Sequence, residues 1–380
     1  MSPGALWIQA VSVGEVRLAL PLARRLCRLG HSVILSSTTA TGLQAAESEA
    51  RGEFPVRAFP IDAAPVSARF LQRFRPSGLI LMETEIWPNL LLAARRLKIP
   101  VWICNGRISD RALMRMAPFR SFYEDALAGI RVAAQDCEHA RRFEMMGVPS
   151  GGIRVMGNLK YDLAPPKDME ERADVLRAYL PSPTPPVWVA GSVREGEEET
   201  VLKAHALVRR RFPDARLILV PRHPERAGVC ENIARSLDLR PASKTGGGEP
   251  GCDVLIVDTV GDLWSSYLLG DVAFVGGSLV PLGGQNVLEP AALGRPVLFG
   301  PSMENFRLEA DRLLRAEAAS VVRDLGSLSE SLCGLFSEAG RREAMGLRAR
   351  RVPERHGGAL LRTAGWIHRG LDHSGATNPP

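Results

Sequence analysis

Aromatic residues make up only 6% of the 380-residue chain, no two cysteines are spaced as CxxC, and no apolar run is long enough to cross a bilayer. Each absence excludes a class of protein. With no aromatic-basic interleaving and no recognised motif, nothing marks the chain as a nucleic-acid binder. Cys27, Cys104, Cys137, Cys230, Cys252 and Cys333 have no regular spacing, so they indicate neither a disulfide frame nor a zinc site and read as reduced core thiols. No signal peptide is visible, which points to a cytosolic or membrane-peripheral protein. A Walker A sequence is missing, so an ATP P-loop is unsupported, and without a GxSxG elbow Ser12 is a poor nucleophile.

What is present is ordinary for a globular protein: 45% hydrophobic and 24% charged residues, with only the ends, notably HSGATNPP, reading as loose. The length suggests two domains. The net charge of +6 is uneven, since residues 1–155 hold 20 basic and 13 acidic side chains and the remainder 28 and 29. The basic excess is either ordinary solvated Arg on helix faces or a surface that meets an anionic partner, such as phosphorylated lipid at a membrane.

Short apolar runs alternate with amphipathic ones, the pattern of an α/β protein with doubly wound parallel sheets. LWIQAVSV, HSVILSSTT, GLILMET, IPVWICN and IRVAAQD read as strands in the first half, and a helix from Val16 to Leu29 follows the first. PVWVAGS, ARLILVP, CDVLIVD, VAFVGGS and RPVLFG restart the pattern. Between them lies a stretch with six prolines. The expected division is a first domain at 1–157, a linker at 158–186, a second domain at 187–350, and a terminal helix at 351–372 that crosses back.

Ligands of such sheets bind beyond the carboxyl ends of the strands. Glu15 follows the first strand there, where a carboxylate either complements the helix dipole or acts as a general base. METEIWPNLL places Glu83 and Glu85 at another strand end; one would cap the following helix and the other serve chemistry, and alternation would set both on one side of the chain. In GNLKYD, Lys160 is either solvated or a cation for a leaving phosphate. AGSVREGEEE and VGGSLVPLGGQNVLEP each run from a strand through Gly and Ser into a helix, where bare N–H groups can receive a phosphate. Glu289 is placed for ribose hydroxyls, with Gly283 and Gly284 leaving room for the backbone. Arg222 offers an anion a fork, whereas His223 alone reads as structural.

AVSVGE, METEIWPNL, NGRISDR, GNLKYD, PRHPER and GGQNVLEPAALGRPVLFGP resemble, in order and spacing, the 3-deoxy-D-manno-octulosonic acid (Kdo) transferases of lipopolysaccharide synthesis, over about residues 5 to 370. That resemblance implies a GT-B fold, two Rossmann-like domains facing a central cleft, at the cytoplasmic face of the bacterial inner membrane. The first domain would take a lipid A precursor (lipid IVA) and the second the donor CMP-Kdo. Glu15 would be the general base of an inverting transfer, with Glu83 and Lys160 stabilising the transition state. Pro221, Arg222, Val260, Gly261, Asp262, Asn286, Val287, Leu288 and Glu289 would bind CMP. The resemblance also implies a metal-independent reaction without a cofactor, which the lack of a D-x-D pair or His-rich cluster fits. Asp262 stands where the family commonly has Glu, and Val287 where Pro is common. The opening MSPGALW replaces the usual hydrophobic anchor, so either the start is shortened or the basic first domain reaches the membrane itself. Two other readings stand beside this one: a GT-B enzyme using a UDP-sugar, of the lipid-disaccharide synthase or epimerase type, and a catalytically silent module for nucleotide or lipid phosphate.

Overall fold

The structure, a computed structural model, describes residues 4–375 except 60, 163, 182–184 and 248–250. Residues 163 and 182–184 of the expected linker therefore lie outside the described part, as do residues 376–380 of the expected loose tail. The chain forms two compact units, Met1–Leu163 with His356–Pro380, and Ala164–Arg355.

Among the described residues the first unit is built on seven parallel strands: β1 Leu6–Ala10, β2 Val33–Ser37, β3 Val56–Ala58, β4 Gly78–Met82, β5 Val101–Gly106, β6 Arg131–Ala134 and β7 Ile153–Val155. Their order is β3-β2-β1-β4-β5-β6-β7, so the direction of winding reverses between β1 and β4. Every residue of β1, β2, β4 and β5 is buried, because helices cover both faces of a parallel sheet. Leu6, Ile8 and Ala10 join the core that also holds Leu22 and Leu26 of the Val13–Arg28 helix and Trp366 and Ile367 of the Ala359–Gly375 helix. Trp7 points the other way, into the core shared with Leu71, Leu91 and Phe143. Burying a side chain the size of Ile367 contributes about 1.5–3 kcal/mol toward holding the returning helix on this unit.

The first strand is shorter than its sequence suggests. It stops at Ala10, and the helix begins at Val13 rather than Val16, because the Ser12 hydroxyl caps it by accepting from the Glu15 N–H.

In the second unit the described strands are β8 Val187–Val193, β9 Arg216–Pro221, β10 Pro241–Ser243, β11 Val254–Ile256, β12 Val272–Val275, β13 Val297–Phe299 and β14 Ala319–Val321. They are parallel in the order β10-β11-β9-β8-β12-β13-β14, with the reversal between β8 and β12. The Met169–Arg177 helix belongs to this unit, where Leu176 and Leu180 pack with Val187 and Tyr267. Among the described residues no helix is long and apolar enough to cross a membrane.

Candidate functional site

The reversal between β1 and β4 sets two turns side by side at the carboxyl ends of adjacent strands, where such sheets bind ligands. The first turn carries Glu15, in the first turn of its helix. Its Oε2 accepts from the Val11 N–H at 2.9 Å and its Oε1 from the Ser12 hydroxyl at 3.2 Å, while Ser12 Oγ accepts from the Glu15 N–H at 3.3 Å. This reciprocal cap fixes a half-buried carboxylate at a helix N-terminus. Burial pushes its pKa above the ordinary carboxylate range and the Glu83 charge adds to the rise; the Val11 and Ser12 hydrogen bonds and the Arg107 charge oppose it.

The second turn carries Glu83 and Glu85. Glu83 adopts φ +56°, is 8% exposed, and pairs with Arg107 through Nε at 2.8 Å and Nη2 at 2.6 Å. Glu85 is pushed up to about 7 by burial and by the charges of Glu15 and Glu83, against the Trp87 indole N–H. Strand alternation does not govern the two glutamates, since β4 ends at Met82 and Glu83 is left-handed. Neither caps the Pro88–Arg96 helix. Asp62 does that, accepting from Leu90 N–H at 2.8 Å and Asn89 N–H at 3.2 Å.

Lys160 lies in the 3₁₀ turn Leu159–Asp162 beyond β7, with its own N–H donated to Asn158 Oδ1 at 3.0 Å. Asn105 at the end of β5, φ +57°, accepts from the Leu159 N–H at 2.9 Å. The end of β5 therefore braces the Lys160 turn through Asn105 and pairs Glu83 through Arg107. Sequence reasoning quoted NGRISDR without assigning either residue. The signal was an Asn-Gly pair at a strand end, since Asn is among the few residues that tolerate a left-handed backbone.

In the second unit, Pro221 ends β9 and the exposed Arg222 donates its N–H to Val193 O at 2.8 Å. Arg194 Nη1 lies 3.1 Å from His223 Nε2, so the guanidinium groups of Arg194 and Arg222 belong to the neighbouring ends of β8 and β9. In the 260–262 turn, Val260 is 77% exposed and Gly261 has φ +99°. Asp262 is fully buried, meeting Lys244 Nζ at 2.6 Å, Arg172 Nη1 at 3.2 Å and the Thr259 hydroxyl. Burial works to raise its pKa, but these partners outweigh burial and leave it below the usual range. The Asp262 carboxylate is thus committed inside the protein, and the exposed members of the turn are Val260 and Gly261.

Asn286 accepts from the Leu288 N–H at 3.0 Å and donates to Glu289 Oε1 at 3.1 Å, while Val287 and Leu288 are buried. Gly283 and Gly284 have φ +80° and +73°, but the room beside them is filled from within. A Cβ would lie 2.3 Å from Asn305 Nδ2 at one and 2.4 Å from Met303 Sδ at the other. The turn after β12 also differs from its sequence reading, because its N–H groups are not bare. Those of Gly277, Ser278 and Leu279 donate to the buried Glu197 carboxylate at 2.6, 2.9 and 2.8 Å. Among the described residues no group of three or more His, Cys, Asp or Glu is arranged to hold a metal ion.

Comparison with known proteins agrees with this two-sheet construction. The 3-deoxy-D-manno-octulosonic acid transferase of Haemophilus influenzae is 32% identical over 366 residues, covering 95% of this chain and 86% of that protein. A glycosyltransferase from Rickettsia africae superposes with a TM-score of 0.64 at 15% identity, covering 98% of this chain and 99% of that one. MurG of Acinetobacter baumannii gives 0.59 at 13% identity, covering 97% and 100%. These structural neighbours place the fold in the GT-B class. A family model described as 3-deoxy-D-manno-octulosonic-acid transferase (kdotransferase) matches residues 1–163. The corresponding transferase of Bordetella pertussis is 36% identical over 370 residues, covering 94% of this chain and 85% of that protein, and the chain belongs to the Kdo transferase family.

Proposed function

We propose that this Kdo transferase moves Kdo from CMP-Kdo to a hydroxyl of a phosphorylated lipid A precursor, lipid IVA, with inversion, in lipopolysaccharide synthesis at the inner-membrane surface. The observation that carries the reading is Glu15: a carboxylate capped in place beside the sheet reversal, with its proton affinity raised by burial. In the step, Glu15 takes the acceptor hydroxyl proton as the acceptor oxygen bonds to the anomeric carbon. The bond from that carbon to the CMP phosphate oxygen breaks, and its electron pair leaves with CMP. One displacement inverts the centre and needs one base. Glu83, held by Arg107, and Lys160, braced through Asn105, stabilise the charge that develops.

CMP is held at Pro221 and Arg222, at the turn where the buried Asp262 braces Val260 and Gly261, and at Asn286 and Glu289, with the buried Val287 and Leu288 shaping that last segment. Arg222 supplies a fork for its phosphate. No metal or other cofactor takes part in this scheme. For the membrane, the segment following β5 exposes Met114 (69%), Phe119 (64%) and Phe122 (50%) among the exposed Arg111, Arg115 and Arg120, a composition suited to an anionic lipid surface. The UDP-sugar alternative has only fold likeness behind it.

The test supplies CMP-Kdo, generated in place, and a tetra-acylated lipid A precursor, with product read by mass spectrometry and the new linkage by NMR. Product heavier by whole Kdo units with inverted configuration is expected. Retained configuration refutes the single displacement. Absence of product from folded protein that binds CMP refutes transfer to this acceptor and leaves a different acceptor, a need for a membrane anchor, or a silent binding module.

A further inference from the structure

The turn after β12 is shaped for an anion, and the protein's own carboxylate fills it. Gly277, Ser278 and Leu279 offer three successive N–H groups at 2.6–2.9 Å from Glu197, which also accepts from the Arg194 N–H at 2.9 Å and has no exposed surface. Strands β8 and β12, which lead into Glu197 and into this turn, flank the sheet reversal of the second unit. In doubly wound sheets, backbone N–H groups at that place receive the phosphates of a nucleotide.

The filled turn is tied to the candidate CMP segments on both sides. Gly277 O accepts from the Gly284 N–H at 2.8 Å, two residues before Asn286. On the other side, Arg194 reaches His223, and Val193 O holds the Arg222 N–H. A second nucleotide phosphate approaching this place finds the donors already paired and a buried negative charge behind them.

We propose that Glu197 determines donor class: its carboxylate stands where a second phosphate would sit, so the site accepts a nucleoside monophosphate ester and rejects a nucleoside diphosphate. The inference rests on the CMP reading above and adds the residue that enforces it. Glu197→Ala opens three N–H groups to the second phosphate, and Glu197→Gln keeps the volume while removing the charge.

The experiment is calorimetric titration of CMP and CDP into the full-length protein and both variants, with folding checked by circular dichroism. The wild type is expected to bind CDP at least about tenfold more weakly than CMP, and Glu197→Ala to narrow or invert that ratio by a similar factor. Glu197→Gln shifts it the same way by less. Equal binding of CMP and CDP by wild type overturns the proposal, as does a folded variant with an unchanged ratio or with equal losses for both nucleotides. If the Ala variant fails to fold, the wild-type ratio and the Gln variant decide. Failure of wild type to bind CMP sinks the CMP reading and this inference with it, whereas CMP binding with an unchanged ratio sinks this inference alone.

Discussion

Glu15 has two jobs that one pair of substitutions separates. As a cap it accepts from the Val11 N–H at 2.9 Å and from Ser12 Oγ at 3.2 Å; as the proposed base it receives a proton. Glu15→Gln keeps an amide oxygen for the Val11 N–H, so the cap loses a few tenths of a kcal/mol, whereas Glu15→Ala loses about 1 kcal/mol. In a protein stable by about 5–15 kcal/mol, neither change empties the folded state. Loss of a general base costs about 10²–10⁴ in rate, or about 3–5 kcal/mol of barrier. Transfer of Kdo followed by mass spectrometry, beside thermal unfolding and CMP titration, should therefore show both variants folded, both binding CMP, and both slower by at least about a hundredfold. The wild-type rate should rise with pH as Glu15 ionises, with its limb above the usual carboxylate range because burial raises the pKa, and the limb should vanish in Glu15→Gln. A Gln variant keeping more than about a tenth of the rate leaves Glu15 a cap and refutes the assignment.

Breaking the Arg107–Glu83 pair with Arg107→Met leaves a buried carboxylate without its cation and should cost about 1–2 kcal/mol, discounted because Arg107 is half exposed. Most of that loss should disappear in the double variant with Glu83→Gln, and additive losses in urea unfolding would contradict the pairing argument. His205 is fully buried, receiving the Trp188 indole N–H at 3.1 Å and lying 3.0 Å from Asp253 O, and burial pushes its pKa from 6.5 down to about 3. The unfolded chain takes up a proton below about pH 6.5 that the folded chain refuses, so stability falls as pH falls, by about 1.4 kcal/mol per unit between pH 6 and 4; a variant His205→Gln with the same pH slope as wild type refutes this. Replacing Phe119 and Phe122 by Ser should weaken sedimentation with anionic vesicles by about tenfold without changing CMP binding, and unchanged sedimentation would remove that segment from the membrane contact.

The strands that sequence made legible are those buried on both faces, because a short continuous apolar run bounded by turn residues is the pattern of a strand covered by helices on both sides. β3, β7, β10 and β14 were missed for the complementary reason: each has three residues, and each exposes part of its length. The position of Glu15 was legible too, since it needs only a strand followed by a helix. Its neighbours were not. Glu83 and Arg107 are 24 residues apart and meet only because β4 and β5 pair in parallel, and Asp62 reaches the helix it caps from 27 residues away. Such contacts depend on strand order, which periodicity does not encode.

Glu15 and Glu197 show why a motif alone cannot assign a carboxylate. Each follows a glycine after the first strand of its sheet and stands at the start of the next helix. Glu197 receives four backbone N–H groups and has no exposed surface. Its two oxygens are therefore committed to fixed backbone donors. Glu15 is half exposed, and the hydrogen bonds it accepts come from one backbone N–H and one hydroxyl that can rotate away. Burial then raises its proton affinity where fixed donors would have lowered it. The number of fixed donors around each carboxylate, set by how neighbouring turns fold onto it, leaves Glu15 open to an incoming hydroxyl and Glu197 enclosed by the backbone.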